Sequence, residues 1–465
     1  MADEAKPRDG ALRNPEFLKF WTGETVSLIG SEVTRFAFPL VAILSLGSSV
    51  FEVGVLNAMR YVPIVIVSLF AGVWLDRRRR RPILIATNLG RAVLIGMIPL
   101  ASTLHLLSIQ VMYAVALLVG TLTVIFDVGS LSYVPNLVER KQLADANGRL
   151  QTSFSLALIA GPSLAGLLIG LLTAPVTLTV DAVSFLFSVV MISLIRKPEQ
   201  APESSGDRPT VRSSIAEGLR AVFGRSVLRN LLTQSATFNM FQNAMMTVFV
   251  VYVVRVLGLS PAQLGFVLGA GALGALLGSV FANRITRTVG LGRTLFITTV
   301  AACLSPLVFL LAPGHDTLSM AILIASHTVY GLNLVIYNVN TLTLRQVVTP
   351  NRLLARMNAS YRMVLFGTIP LGALLGGTLG RYFGLRTAMV ATAVLLLSPI
   401  AWTLFSPVFR LRAMPTGPIE EEPGADTVAA KPATPIATGE PAPAPAPDTA
   451  EGDDIDPIRP VVQRA

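Results

Sequence analysis

The residues able to do chemistry in this sequence are ionisable side chains set inside long apolar runs. Glu24, Glu32 and Arg35 share one run, Arg60 lies in the next, Arg91 in a third and Asp127 in a fourth. An ionisable group at membrane depth is costly unless paired or hydrated, so each is a functional candidate by default. At about 100° per residue, Glu24, Ser27, Ser31, Glu32 and Arg35 form one broad stripe, with Glu32 and Arg35 three apart and able to pair. A carboxylate in a partly dry cavity resists ionisation and can exchange a proton near neutral pH. Asp127, then Glu24, then Glu32 are the candidate proton carriers, with Arg35 and Arg91 in the same coupling set. A structural pair with Arg35 would instead keep Glu32 ionised.

Other chemistries find little support. A single cysteine, Cys303, excludes an intramolecular disulfide framework and a cysteine-built metal site. His105, His315 and His327 are scattered, so no metal is expected, and His327 reads as a buried polar contact. No nucleophile–base set is evident, and there is no Gly-x-x-x-x-Gly-Lys-Ser/Thr phosphate loop. The Gly-Ala-Gly-Ala-Leu-Gly string at 269–274 fits a dinucleotide pattern but lies inside an apolar run with no preceding strand. With Gly265 and Gly278 it reads as close helix packing. No cofactor is expected, and no enzyme activity.

The elements that must position these groups are membrane spans. Of 465 residues 52% are hydrophobic and 14% charged, well below the roughly 25% charged of a soluble domain. Twelve apolar runs are each long enough to cross a bilayer: 20–46, 50–75, 82–104, 109–133, 148–172, 175–195, 230–257, 261–284, 293–312, 318–344, 357–380 and 385–409. Residues 1–16 are polar and carry no secretory signal. The net charge is +10, but 411–465 holds ten of the 27 acids, leaving +16 on the first 410 residues. Those bases sit between spans, so they point to membrane topology and not to nucleic acid. They concentrate in alternate connections, from Lys6, Arg8, Arg13 and Lys19 through 77–81, Arg140 and Lys141, and on to Arg345, Arg352 and Arg356. The other connections hold Arg255, Arg381 and Arg386. Positive-inside asymmetry then puts both termini in the cytoplasm. Trp21, Trp74 and Trp402 fall near cytoplasmic ends, as belt residues do.

Sliding the chain on itself by 211 residues aligns Gly47 with Gly258, Gly54 with Gly265, Gly120 with Gly331, Asn147 with Asn358, Gly161 with Gly372 and Gly166 with Gly377. Two parallel six-helix repeats are the simplest account, with a substrate site between them near the midplane. The organisation is then a cytoplasmic segment 1–16, a bundle 17–196, a linker 197–229, a second bundle 230–410 and a tail 411–465. In the linker Ile215, Leu219, Val222 and Phe223 recur at helical spacing after Ser213 or Ser214 as a cap, predicting an amphipathic helix on the inner membrane surface. The tail has eleven of the 30 prolines and alternates Ala-Pro over 441–447, so it is expected to be disordered and polyproline-like.

Polar groups also line the facing spans. Ser326, Tyr330, Asn333, Tyr337 and Asn340 share one face of the tenth span, and Gln234, Asn239, Gln242 and Asn243 lie in the seventh. Asn338 stands where the repeat places Asp127. Ser31, Gln234, Asn239, Gln242, Tyr330, Asn333, Tyr337 and Asn338 are the candidate walls of a wet substrate cavity, with acids on one half and amides on the other.

The second span ends Gly72-Val73-Trp74-Leu75-Asp76-Arg77-Arg78-Arg79-Arg80-Arg81. This resembles the loop signature Gly-x-x-x-Asp-Arg-x-Gly-Arg-Arg of the major facilitator superfamily, with Arg79 in place of a glycine. The copy at 283–293 has Arg287 where the acid would stand. Ala160-Gly161-Pro162-Ser163-Leu164-Ala165-Gly166 is similar to the antiporter motif Gly-Pro-x-x-Gly-Gly, with Ala165 for one glycine. With Leu28-Ile29-Gly30-Ser31, Phe126-Asp127-Val128, Tyr133-Val134-Pro135 and Leu143-Ala144-Asp145-Ala146-Asn147, these resemble the bacterial drug:proton antiporter branch that includes enterobactin and macrolide exporters. The resemblance covers about 17–410. It implies an all-α membrane protein of the major facilitator fold in the bacterial plasma membrane. It further implies a monomer, embedded in the lipid bilayer, that exports amphipathic small molecules in exchange for protons.

Physically, Asp76 at the end of the second span can accept bonds from the orphan amides of a helix N-terminus or pair with arginine. Gly72, Asp76, Arg77, Arg80 and Arg81 are thus a candidate conformational latch. Gly161, Pro162 and Gly166 permit close helix approach and a local bend. One proton charge moving through about 100 mV releases about 2.3 kcal/mol, which sustains roughly a 40-fold substrate gradient. Uptake of a nutrient by a symporter or facilitator, and a non-transporting scaffold or sensor, are the competing readings.

Overall fold

The computed structural model describes residues 10–75, 78–199, 211–311, 314 and 316–415. Asp76, Arg77, His315, the linker stretch 200–210 and the tail from 416 lie outside the described residues, as do the side chains of Gly72 and Ile215.

Fourteen α-helices are present among the described residues. They are α1 (Pro15–Leu40), α2 (Val50–Leu75), α3 (Arg80–Thr103), α4 (Ile109–Leu137), α5 (Leu143–Leu171), α6 (Ala174–Ser193) and α7 (Val211–Phe223). There follow α8 (Ser226–Arg255), α9 (Pro261–Val289), α10 (Leu291–Leu304), α11 (Thr317–Val348), α12 (Asn351–Phe383), α13 (Leu385–Leu395) and α14 (Ser398–Leu404). Among the described residues, twelve segments are long and apolar enough to cross a membrane. The ninth continues α10 through a 3-10 stretch, Ser305–Leu311, and the twelfth joins α13 to α14, whose second residue is Pro399. Local chemistry sets the starts. Asn14 accepts the amides of Glu16 and Phe17 at 3.0 and 3.3 Å with Pro15 at the first position, and Ser260 and Gln263 form a reciprocal capping box ahead of Pro261.

The sequence repeat is a structural one. Helix starts Pro15 and Ser226, Val50 and Pro261, Arg80 and Leu291, and Ala174 and Leu385 are each separated by 211. Gly47 and Gly258 both adopt positive φ, +62° and +70°, a backbone state that glycine enters without a Cβ penalty. In the first half α1 packs on α5 and α6, α2 on α4, and α3 on α4 and α6. In the second, α8 packs on α12 and α13, α9 on α11, and α10 on α11 and α14.

The halves meet along two crossings, α2 with α12 and α5 with α9. The repeat-related glycines make both. A methyl on Gly54 would meet Gly377 Cα at 3.1 Å, and one on Gly166 would meet Gly265 Cα at 3.2 Å. Arg255 donates to the Ser48 carbonyl at 2.6 Å and Asn57 reaches Thr247 at 3.5 Å on the same side. Further along α9, Leu276 shares the face of Gly265 and Gly269 yet is 51% exposed. The glycine crossings and the Arg255 bond thus lie on the face opposite the basic connections.

The linker helix differs from expectation in two respects. It begins at Val211, so positions 213 and 214 fall inside its first turn and not ahead of it. It also packs on α12, with Gly218 against Arg356 and Ser360, Val222 fully buried and Glu217 ion-paired with Arg356. A residue without a side chain lets the two helices touch, so α7 covers protein where a bare membrane surface was expected.

Candidate functional site

The first half carries a connected set of charges. Arg91 of α3 is 3% exposed, its guanidinium lying 4.2 Å from the Phe126 ring of α4 and 4.4 Å from the Phe185 ring of α6. It donates to Asn88, whose own amide donates to Ser188 at 2.9 Å. Two stacked rings and one amide fix a planar cation in place. Asp127, Glu24 and Asp181 are within its electrostatic range. Asp127 is exposed although it lies far along α4. It senses both Arg91 and Arg362, the latter on α12 of the other half. Asp127 is thus the carboxylate of this set whose electrostatic surroundings include a cation of the other half. Glu24 is half-buried, with one carboxylate oxygen buried and without a hydrogen-bond partner.

A second cluster lies deeper. Glu32 pairs with Arg35, and Arg60 is in range of Glu32, Arg35 and Asp181. Asp181, 1% exposed, accepts from Ser184 at 3.1 Å and from Ser31 at 3.5 Å. Gly30 makes room for it, since a methyl there would meet Asp181 Oδ1 at 2.8 Å.

The motif around Gly161 acts through these contacts. Gly161 lies directly against Glu32 Cβ, so α1 and α5 can close over a charged side chain. Gly166 and the Pro162 carbonyl form the α9 crossing, and Ser163 donates to the Gly265 carbonyl at 3.4 Å. Of the latch set, Asp76 and Arg77 lie outside the described residues and Gly72 sits in the last turn of α2. The backbone amides of Arg80 and Arg81 donate to Glu199 at 2.7 and 3.2 Å. Glu199 thus supplies the carboxylate that a helix N-terminus attracts. The Arg81 guanidinium binds the Ile192 and Ser193 carbonyls at the end of α6.

On the second half the cavity set divides. Asn338 is exposed, Asn239 is half-buried and donates to the Leu365 carbonyl at 2.6 Å, and Tyr330 stacks on Phe238. The buried Gln242 Oε1 has no hydrogen-bond partner and lines a small cavity with His327 and Tyr330. Gln234, Asn333 and Tyr337 are instead withdrawn from the wall. Gln234 accepts from Tyr337 and donates to Thr299 at 3.3 Å, while Asn333 donates to the Val329 carbonyl at 2.8 Å. Helical spacing gives a face, but neighbouring helices cover that part of it, and covered amides must bond within the bundle. His327 is buried between the rings of Phe249 and Phe309, with its Nδ1 lacking a hydrogen-bond partner.

Asp181, Arg362 and Glu199 are not singled out by the sequence reading. For Asp181 and Arg362 the signal existed, since each is ionisable within an apolar run. Glu199 gave none, because its role depends on a helix end distant in sequence. Under the 211-residue correspondence, Glu24, Glu32, Arg35, Arg60, Arg91, Asp127 and Asp181 align with Ser235, Asn243, Met246, Gly271, Ala302, Asn338 and Thr392. Every buried charge of this set belongs to one half.

Twelve spans among the described residues, arranged in two repeats crossed by paired glycines and with buried charges in the first, fit a multi-pass membrane transporter and not an enzyme. The chain belongs to the Major Facilitator Superfamily, whose family model matches residues 20–369. It is 26% identical to the multidrug efflux pump Tap of Mycolicibacterium fortuitum over 80% of this chain and 91% of that one. It is 22% identical to macrolide efflux protein A of Streptococcus pyogenes over 44% of this chain and 50% of that one. Among solved structures it superposes on a point mutant of the nucleoside transporter NupG with TM-score 0.68 and 13% identity, covering 84% and 99% of the two chains. A bacterial homologue of the human lysosomal transporter Spinster, inward-facing and unoccupied, gives 0.66 at 15% identity, covering 87% and 98%.

Proposed function

We propose that this transporter exports amphipathic small molecules, of the drug, antibiotic or siderophore kind, from the cytoplasm in exchange for protons. The observation that carries the reading is Asp127, a carboxylate exposed deep along α4 and in electrostatic range of Arg91 in its own half and Arg362 in the other. A proton on Asp127 weakens its attraction to both arginines, so protonation changes the balance between the halves. The glycine crossings supply a seam along which they can rock. The names of the efflux relatives support export, and the asymmetry of bases supports an opening toward the cytoplasm with both termini on that side. Asp127 and Glu24 accept the proton, Ser31, Asn239, Gln242, Tyr330 and Asn338 contact substrate, and the chain works as a monomer in the plasma membrane.

Cells expressing the chain should extrude ethidium, and an uncoupler should abolish extrusion. In everted vesicles Asp127→Asn and Glu24→Gln should stop substrate-driven proton movement with expression unchanged. Uncoupler-insensitive efflux would reject proton exchange, and wild-type coupling in both variants would reject the site.

A further inference from the structure

We propose that Asp181 is the positioning counter-ion of the coupling site, holding Arg91 in charge balance while Asp127 carries the proton. The inference rests on the proton-exchange reading above.

Arg91 lies between two matched units. On one side Phe126 and Asp127 are neighbours on α4; on the other Asp181 and Phe185 are one turn apart on α6. The two rings clamp the guanidinium at 4.2 and 4.4 Å. Both carboxylates, with Glu24, are in its electrostatic range. Among the described residues none is in direct ion-pair contact with it. A cation so held cannot follow a departing partner. When Asp127 takes a proton, Arg91 loses that charge and needs another already in place, because an unbalanced buried charge is heavily penalised.

Asp181 is built for that service. Asp127 is exposed, whereas Asp181 is 1% exposed, fixed by Ser184 and Ser31, with Arg60 as its second cation. Without Asp181, protonating Asp127 would leave Arg91 with Glu24 alone among the carboxylates in its range, so proton uptake would be disfavoured.

The test uses the full chain in liposomes, with ethidium as probe and two readouts. These are ethidium-driven proton movement, followed by an internal pH dye, and ethidium counterflow without a proton gradient. Asp181→Asn should reduce proton movement at least tenfold while counterflow stays within about twofold, and Asp181→Glu should restore proton movement. If the asparagine variant does not accumulate, Asp181→Thr serves, threonine being the residue at the corresponding position 392. Unchanged coupling in the asparagine variant, or in the threonine variant where that one serves, overturns the proposal. Loss of counterflow and coupling together, unrescued by glutamate, also overturns it by assigning a structural role. A wild-type chain that moves no protons with ethidium refutes the exchange reading, and this inference with it.

Discussion

Gly161 matters because of what stands opposite it. Its missing side chain is where Glu32 Cβ fits, so a glycine on α5 sets how closely a charged residue of α1 can be enclosed. Gly161→Val should overpack that contact at a cost of roughly 1–3 kcal/mol, seen as a lower melting temperature in detergent. Glu32→Gly in the same chain, which removes that Cβ, should recover part of the loss; no recovery would place the strain elsewhere. The Glu32–Arg35 pair gives a second prediction, because the second half supplies its neutral equivalent, Asn243 and Met246. Arg35→Met alone should destabilise by about 1–3 kcal/mol, below the roughly 3–5 kcal/mol of a fully buried pair, since the Arg35 side chain is 39% exposed. Adding Glu32→Asn should return stability close to wild type. A double variant as unstable as the single one would show that the pair is not what the site loses.

At the scale of elements, the two glycine crossings decide how the halves fit. Gly54 with Gly377 and Gly166 with Gly265 bring backbones together where any side chain would hold them apart. Gly265→Leu should therefore prop open the face opposite the basic connections. A cysteine introduced at Asn57, beside that seam, should then react faster with a membrane-impermeant maleimide. The background is favourable, since the native Cys303 is fully buried. An unchanged labelling rate would mean that the crossing tolerates bulk. For α7, Glu217→Lys sets two cations against each other where Glu217 now pairs with Arg356. Limited proteolysis should then cut the linker sooner, with the spanning helices left intact. Equal cleavage rates would show that packing of Val222 alone holds the helix.

For the whole molecule, the export reading requires both termini on the cytoplasmic side, the arrangement that an even number of spans and the positive-inside rule would give. A periplasmically active reporter fused after Leu106, between α3 and α4, should be active, and the same reporter after Ala465 should be silent. The reverse pattern would invert the topology. Much of this architecture was legible in the sequence because bilayer thickness dictates run length and the 211-residue correspondence survives in glycines that cannot be replaced. The charged residues of α1, α3 and α4 were legible for a similar reason, since an ion in hydrocarbon stands out against its neighbours. What composition and periodicity could not assign was partnership. Asp127 in electrostatic range of Arg362, Asp181 in that of Arg91, Glu199 on the amides of α3, and the retreat of Gln234, Asn333 and Tyr337 into the bundle each depend on how helices pack. The linear order determined the spans, their repeat and which half holds the charge, because solvent and lipid act on every residue in its own place. Only tertiary structure decided which charges see each other and which amides meet water, because both depend on the distance between helices, and packing sets that distance.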